Sequence, residues 1–319
     1  MSNYTITRDD DSGIDRIHCP SAGSSIAVSR FGGELVSYRV RDPRDGAEVP
    51  LLYRDNQTDA PEDGWKNHAT ILFPIVGGLK GKQSRLGDLT ISTRGNHGLA
   101  RHSDFILADT RQTAEFASLQ YQIEASEATR EYYPFDFSLK LIYTLAGSDL
   151  SLDFVITNRE AERDIYFCFG WHPGFRAPLG RAGNKSGCRL LFPDTNAVLY
   201  HNNDECRLTG ETTALRLGGP FGWTEEGLER TVMLEFPEVD GRRVTLSDSV
   251  AGIDLEMDFA DFPQLGFWSE PGWDFICIEP WQGMDDHEDQ EPFDQKVGMV
   301  RLPPGEEVKK AARVKARFK

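Results

Sequence analysis

Strict alternation of apolar and polar residues, recurring along most of the chain, is what most constrains its fold. Residues 117–124 read Ala-Ser-Leu-Gln-Tyr-Gln-Ile-Glu, with an apolar side chain at every second position. The same period runs through residues 137–145 and 150–156, which flank Ala146-Gly147-Ser148-Asp149 and so predict a hairpin closed by a short turn. Side chains alternate between the two faces of a strand, so each such stretch buries one face and wets the other. Further strands are expected at 24–29, 35–40, 88–93, 165–171, 231–236, 244–247, 253–259 and 265–269. Near the C-terminus Ala312, Val314, Ala316 and Phe318 alternate with Arg313, Lys315 and Arg317, a basic row that reads as the solvent face of one more strand. Helical spacing is confined to 126–133, stopped by Pro134. Residues 178–227, rich in Gly, Asn and charge, read as long loops between short strands and mark no domain boundary. Many strands with few helices predict an all-β chain, a large sandwich or barrel-like single domain spanning residues 1–319.

Charge narrows the partners. A formal net charge of -16 argues against nucleic acid and anionic membranes, both of which attract basic patches. The five cysteines fall at irregular spacings with no CxxC pair, so neither zinc nor redox chemistry is indicated, and Cys168 and Cys277 sit in apolar strand patterns. No basic-then-apolar leader and no membrane-length apolar run is visible, so a cytoplasmic location is expected.

Three polar groups stand out against this background. Glu279 lies in Phe275-Ile276-Cys277-Ile278-Glu279-Pro280-Trp281, where it shares a strand face with Phe275, Cys277 and Trp281. A carboxylate so placed loses solvation, which makes it a candidate general base, or a structural group held by backbone N–H groups or an arginine. His172 ends the aromatic stretch Phe167-Cys168-Phe169-Gly170-Trp171-His172, and Pro173 is expected to stop the ladder there. His97 begins a turn, Asn96-His97-Gly98-Leu99-Ala100-Arg101. Converging, the three could act as acid, base and polariser on a small polar molecule, with Trp171, Trp268 and Trp281 offering flat surface to a sugar ring. The histidines show no metal-ligand spacing, so no metal is expected; the run Asp285-Asp286-His287-Glu288-Asp289 reads as a solvated loop.

In order along the chain, Ile71-Leu72-Phe73-Pro74-Ile75-Val76-Gly77, His97-Gly98-Leu99-Ala100-Arg101, Tyr133-Pro134-Phe135, Trp171-His172-Pro173 and Cys277-Ile278-Glu279-Pro280-Trp281 resemble the aldose 1-epimerase (galactose mutarotase) superfamily. Gly32-Gly33-Glu34-Leu35 fits as well. The likeness is to the LacX-like branch, with a secondary likeness to glucose-6-phosphate 1-epimerases. It implies a large antiparallel β-sandwich, or supersandwich, and an isomerase that interconverts the anomers of an aldohexose without a cofactor. The alternatives it leaves are a hexose-6-phosphate 1-epimerase and a non-catalytic carbohydrate-binding protein. Carried over by position, Glu279 is the base for the anomeric hydroxyl, His172 the acid for the ring oxygen and His97 the polariser. Arg101 and Asn96 match substrate-binding positions, although Arg101 could equally pair with a carboxylate and hold its loop. The implied partner is a sugar or sugar phosphate, and the implied assembly a monomer or homodimer. Related chains tend to carry an arginine after Gly77, where this one has Gly78-Leu79-Lys80, so either a substrate contact is missing or Lys80 or Lys66 replaces it. The acidic residue that such enzymes place on sugar hydroxyls is matched only loosely by Asp258 or Asp261.

Overall fold

The computed structural model describes residues 3–55, 65–180, 184–221, 231–270 and 272–319. They form an all-β fold of two large antiparallel sheets. A five-stranded meander runs from Thr5–Thr7 to Glu48–Pro50. A 14-stranded sheet has Ala69–Leu72 at one edge and Ile106–Gln112 at the other. Apolar faces of both sheets share one core, with Val28, Leu35 and Tyr38 from the first and Leu141, Tyr143 and Phe154 from the second. Buried tyrosines stitch the seam without stranding a polar group. The Tyr38 hydroxyl donates to the Ser148 carbonyl at 2.5 Å and that of Tyr143 to the Gly33 carbonyl at 2.7 Å.

The alternating segments are strands where expected. Phe137–Ala146 pairs with Asp149–Asn158 in unbroken register from Phe137↔Asn158 to Ala146↔Asp149. The turn between them needs a left-handed residue, and Gly147 supplies φ +60°. The basic row lies on Glu307–Phe318 and faces acids on its neighbours, as in Lys315–Asp149 at 2.6 Å. The expected helix shrinks to Glu127–Arg130, opened by a capping box on Ser126.

Two expectations are corrected. Residues 178–227 are not mainly loop: Cys188–Asn202 and Leu208–Phe221 make a long hairpin, while 181–183 and 222–227 lie outside the described residues. Its outer arm is exposed along most of its length, so it lacks the apolar alternation that betrays a half-buried strand. Nor does Pro173 stop a strand. The chain breaks at Cys168, and Phe169–Arg176 then runs through Pro173 between Ala69–Leu72 and Phe275–Gln282.

That passage sets up the site. Phe169–Arg176 pairs with Phe275–Gln282 at Gly170↔Trp281 and again at Gly174↔Cys277, but not between. In this gap each strand carries a proline, Pro173 on one and Pro280 on the other, and neither has an N–H to donate. Register is kept across the gap. Counting inward from both ends puts His172 directly opposite Glu279.

Candidate active site

Directly opposed side chains on neighbouring strands meet at short range. His172 Nε2 lies 3.1 Å from Glu279 Oε2, and both residues are buried. Neither Glu279 oxygen has an aligned hydrogen-bond partner among the described residues, and the same is true of His172 Nδ1. Burial pushes the Glu279 carboxyl well above its ordinary range; the charge of Asp285 adds to the push and the Trp281 indole opposes it. Burial likewise drives His172 down to about 3, helped by the charge of Arg101. Both shifts favour a neutral pair, a carboxylic acid beside an imidazole.

His97 reaches the same place from a turn. Its own N–H donates to the Gly77 carbonyl at 2.7 Å, and the Gly77 N–H donates to His97 Nδ1 at 3.1 Å. An Nδ1 that accepts leaves the ring proton on Nε2. Burial, with the charges of His172 and Arg101, holds His97 well below its usual range, so the ring is a neutral donor. The turn is tight: His97 has φ +71° and Gly98 φ +73°. A Cβ on Gly98 would sit 2.4 Å from the Phe73 carbonyl oxygen. The His97 and His172 ring centroids are 5.1 Å apart.

These groups open on a pocket of about 320 Å³, toward the small end of the usual range for ligand sites, roughly 300–1,000 Å³. Asn96, Arg101, Trp268 and Trp281, the candidates from the sequence, line it. Trp171 does not. Adjacent strand residues point to opposite faces, so if His172 faces the pocket Trp171 faces the core, where it is fully buried. Trp65, unremarked in the sequence, takes the wall position instead. Its ring stacks on His172 at 5.2 Å and lies over Gly174, where a Cβ would come within 2.5 Å of it.

The Arg101 side chain forms no hydrogen bond or ion pair among the described residues. Burial draws its guanidinium down, partly offset by the charge of Glu34. Glu34 itself accepts the His68 and Ala69 N–H groups at 2.8 and 3.0 Å. Thus Arg101 is not locked into a loop-holding ion pair and presents its charge to the pocket.

The acid on the pocket wall is Asp285, from the run read as a solvated loop. Its Oδ1 accepts the Gly78 N–H at 2.9 Å, and a Cβ on Gly77 would sit only 1.8 Å from that oxygen. Burial raises Asp285 to about 6, against the Gly78 N–H and the charges of Lys296 and Arg207. Asp286 is buried too, paired with Lys296 at 2.7 Å. Only the end of the run, Glu288 and Asp289, is exposed. Asp258 and Asp261 lie outside the pocket and accept the Ala260 and Ala311 N–H groups. Lys66 and Lys80 are outside as well: Lys66 is exposed, and Lys80 Nζ donates to the Glu288 carbonyl at 2.6 Å.

Donor atoms of His172, Cys277 and Glu279 all fall within 4.8 Å of one another. A metal there would require a thiolate and a carboxylate. Burial raises Cys277 well above the usual thiol range, as it does Glu279, so the surroundings favour the protonated forms of both. The donor set suits proton transfer better than ligation.

Against known proteins, the aldose 1-epimerase family model matches residues 16–315, which contain every pocket residue named above. The chain belongs to the aldose 1-epimerase family. Within it, the likeness is to the LacX-like branch. The chromosomal Protein LacX of Lactococcus lactis subsp. lactis is 28% identical over 273 residues, covering 82% of this chain and 85% of that one. A galactose mutarotase related enzyme from Lactobacillus acidophilus superposes with a TM-score of 0.81 at 26% identity, over 92% of this chain and 94% of its own. The galactose 1-epimerase of Lactobacillus acidophilus NCFM shares the fold at a TM-score of 0.71 and 13% identity, over 100% of this chain and 99% of its own. The sandwich expected for an aldose 1-epimerase is therefore the fold seen. No helix among the described residues is long and apolar enough to cross a membrane.

Proposed function

We propose that this aldose 1-epimerase family member interconverts the α and β anomers of an aldohexose by acid–base ring opening and reclosure. The observation that carries the reading is the buried, cross-strand His172–Glu279 pair at 3.1 Å, with hydrogen-bonding capacity left over on both partners. The neutral pair and the imidazolium–carboxylate pair differ only by transfer of one proton across that contact, so the pair as a unit carries the acid and the base that the reaction needs. In the forward step the Glu279 carboxylate takes the proton of the C1 hydroxyl while the His172 imidazolium protonates the ring oxygen. The C1–ring oxygen bond breaks and a C1 carbonyl forms. His97, a neutral Nε2–H donor, hydrogen-bonds the oxygen on which charge develops. Rotation about C1–C2 presents the other carbonyl face. Reclosure returns the ring-hydroxyl proton to His172 and the Glu279 proton to the C1 oxygen, restoring the starting state. Trp65, Trp268 and Trp281 supply flat walls for the sugar ring, and Asn96 and Asp285 hydrogen-bond its hydroxyls.

Arg101, whose side chain has no hydrogen-bond or ion-pair partner among the described residues, favours a second reading in which the aldose carries an anionic group, such as a phosphate, because a guanidinium offers that group paired donors. NMR exchange measurements on α-glucose, α-galactose and glucose 6-phosphate test both. Acceleration of anomer exchange is expected with at least one of them. No acceleration with any aldose or aldose phosphate, or wild-type rates in Glu279→Gln, would overturn the mechanism. Sugar binding without exchange would assign the protein to carbohydrate binding alone.

A further inference from the structure

Gly78 has no conformational need to be glycine, since its φ lies outside the left-handed region. What its missing side chain does is leave space. A Cβ there would meet Asn96 Oδ1 at 2.7 Å and Arg207 Nη1 at 3.1 Å. Arg207 comes from the far end of the long hairpin, between Cys188–Asn202 and Leu208–Phe221. Its neighbour Cys206, at φ +58°, lines the pocket.

The tip is held firmly. Leu208 N–H donates to the Asp286 carbonyl and Glu288 N–H to the Leu208 carbonyl, each at 2.9 Å. Arg207 N–H donates to Asn203 Oδ1 at 3.1 Å, and Asn203 N–H to the Arg207 carbonyl at 2.8 Å. Within the guanidinium, Nη2 donates to the Leu79 carbonyl at 3.1 Å. Nε is buried without a partner, and Nη1 makes no hydrogen bond among the described residues. Arg207 does not itself line the pocket, but it is a half-buried cation with unspent donors, anchored beside the pocket residues Asn96 and Cys206.

We propose that Arg207, which the absent Gly78 side chain lets approach Asn96, is a substrate-orienting residue at the pocket margin, donating to a sugar oxygen beside the hydroxyl that donates to Asp285. A donor next to an acceptor is the complement of two adjacent sugar hydroxyls. Because the hairpin tip is clamped by its own hydrogen bonds, Arg207 is held in place before ligand arrives. The inference rests on the sugar-binding reading of the pocket and assigns the residue that selects among sugars.

The test compares wild type with Arg207→Ala, Arg207→Lys and the double variant Arg207→Ala/Gly78→Arg, using galactose, glucose and glucose 6-phosphate. Removing Arg207 is expected to raise KM for the preferred sugar about 10- to 100-fold, as for loss of a hydrogen bond to a charged group, with kcat changed far less. The double variant, which sends a guanidinium into the same space from the other side, is expected to recover much of that loss. An unchanged KM in Arg207→Ala, or equal losses in all three variants tracking a lowered Tm, would overturn the proposal. If wild type accelerates no exchange, the anomerase reading fails, and the same variants are compared by sugar titration. Weaker binding in Arg207→Ala with recovery in the double variant still supports Arg207. Equal binding, or no binding of any of the three sugars to wild type, overturns it.

Discussion

At the scale of single residues the pocket is built from polar groups in unfavourable burial. Glu279 has no aligned hydrogen-bond partner among the described residues. Glu279→Gln removes an ionisable group from an apolar site while keeping its shape. Anomer exchange is expected to fall by about 10²–10⁴-fold, the usual contribution of a general base, while Tm measured calorimetrically does not fall. Asp285 gives a pH-dependent version of the same trade. Its pKa rises from 3.8 to about 6 in the folded chain, so folding binds this proton more tightly. The associated stability is complete below pH 3.8 and is lost as pH rises through 6, leaving a penalty of about 3 kcal/mol above that. Asp285→Asn keeps an oxygen for the Gly78 N–H and loses the charge. Its Tm is expected to exceed that of wild type by a few degrees at pH 8, with the gap closing toward pH 4, while KM for the sugar rises. A gap that widened toward acid would contradict the assignment. The sequence exposed Glu279 and both histidines because each is a polar residue set among apolar neighbours. It concealed Asp285, Trp65 and Arg207, because an acid in an acidic run, a tryptophan before a lysine and an arginine after a turn have no unusual local context. Only the convergence of distant loops gives them one.

At the scale of elements, alternation was legible wherever one strand face is buried and the other wet. It failed on the Leu208–Phe221 arm, where most positions are exposed, and at Pro173, where the usual reading of proline as a stop was wrong. The prolines carry a different meaning here. Pro173 and Pro280 each follow a site residue, and together they open the ladder at the one place where His172 and Glu279 face each other. The turn that carries His97 is equally exacting. In Gly98→Ala the new methyl would meet the Phe73 carbonyl oxygen at 2.4 Å with φ at +73°, both unfavourable. That variant is expected to lose about 2 kcal/mol or more in denaturant titration, and to lose activity beyond its loss of stability because His97 moves. Wild-type stability in Gly98→Ala would show that the turn relaxes.

At the scale of the whole molecule, the apolar core runs from Tyr4 in the meander to Ala316 in the last long strand without dividing between the sheets. We propose that residues 1–319 act as one folding unit, and one calorimetric unfolding transition is the expected result; two separable transitions would refute it. The paired strands that meet at the proline gap belong to this shared framework, whereas Trp65, Asp285 and Arg207 are supplied by connecting segments. On the proposed function, the reaction and its selectivity would therefore be separately heritable. Loops could then be exchanged, lengthened or redesigned to admit another sugar while the His172–Glu279 pair stays in place. A single-residue deletion between Gly170 and His172 would instead turn His172 to the opposite face and abolish catalysis for every sugar at once.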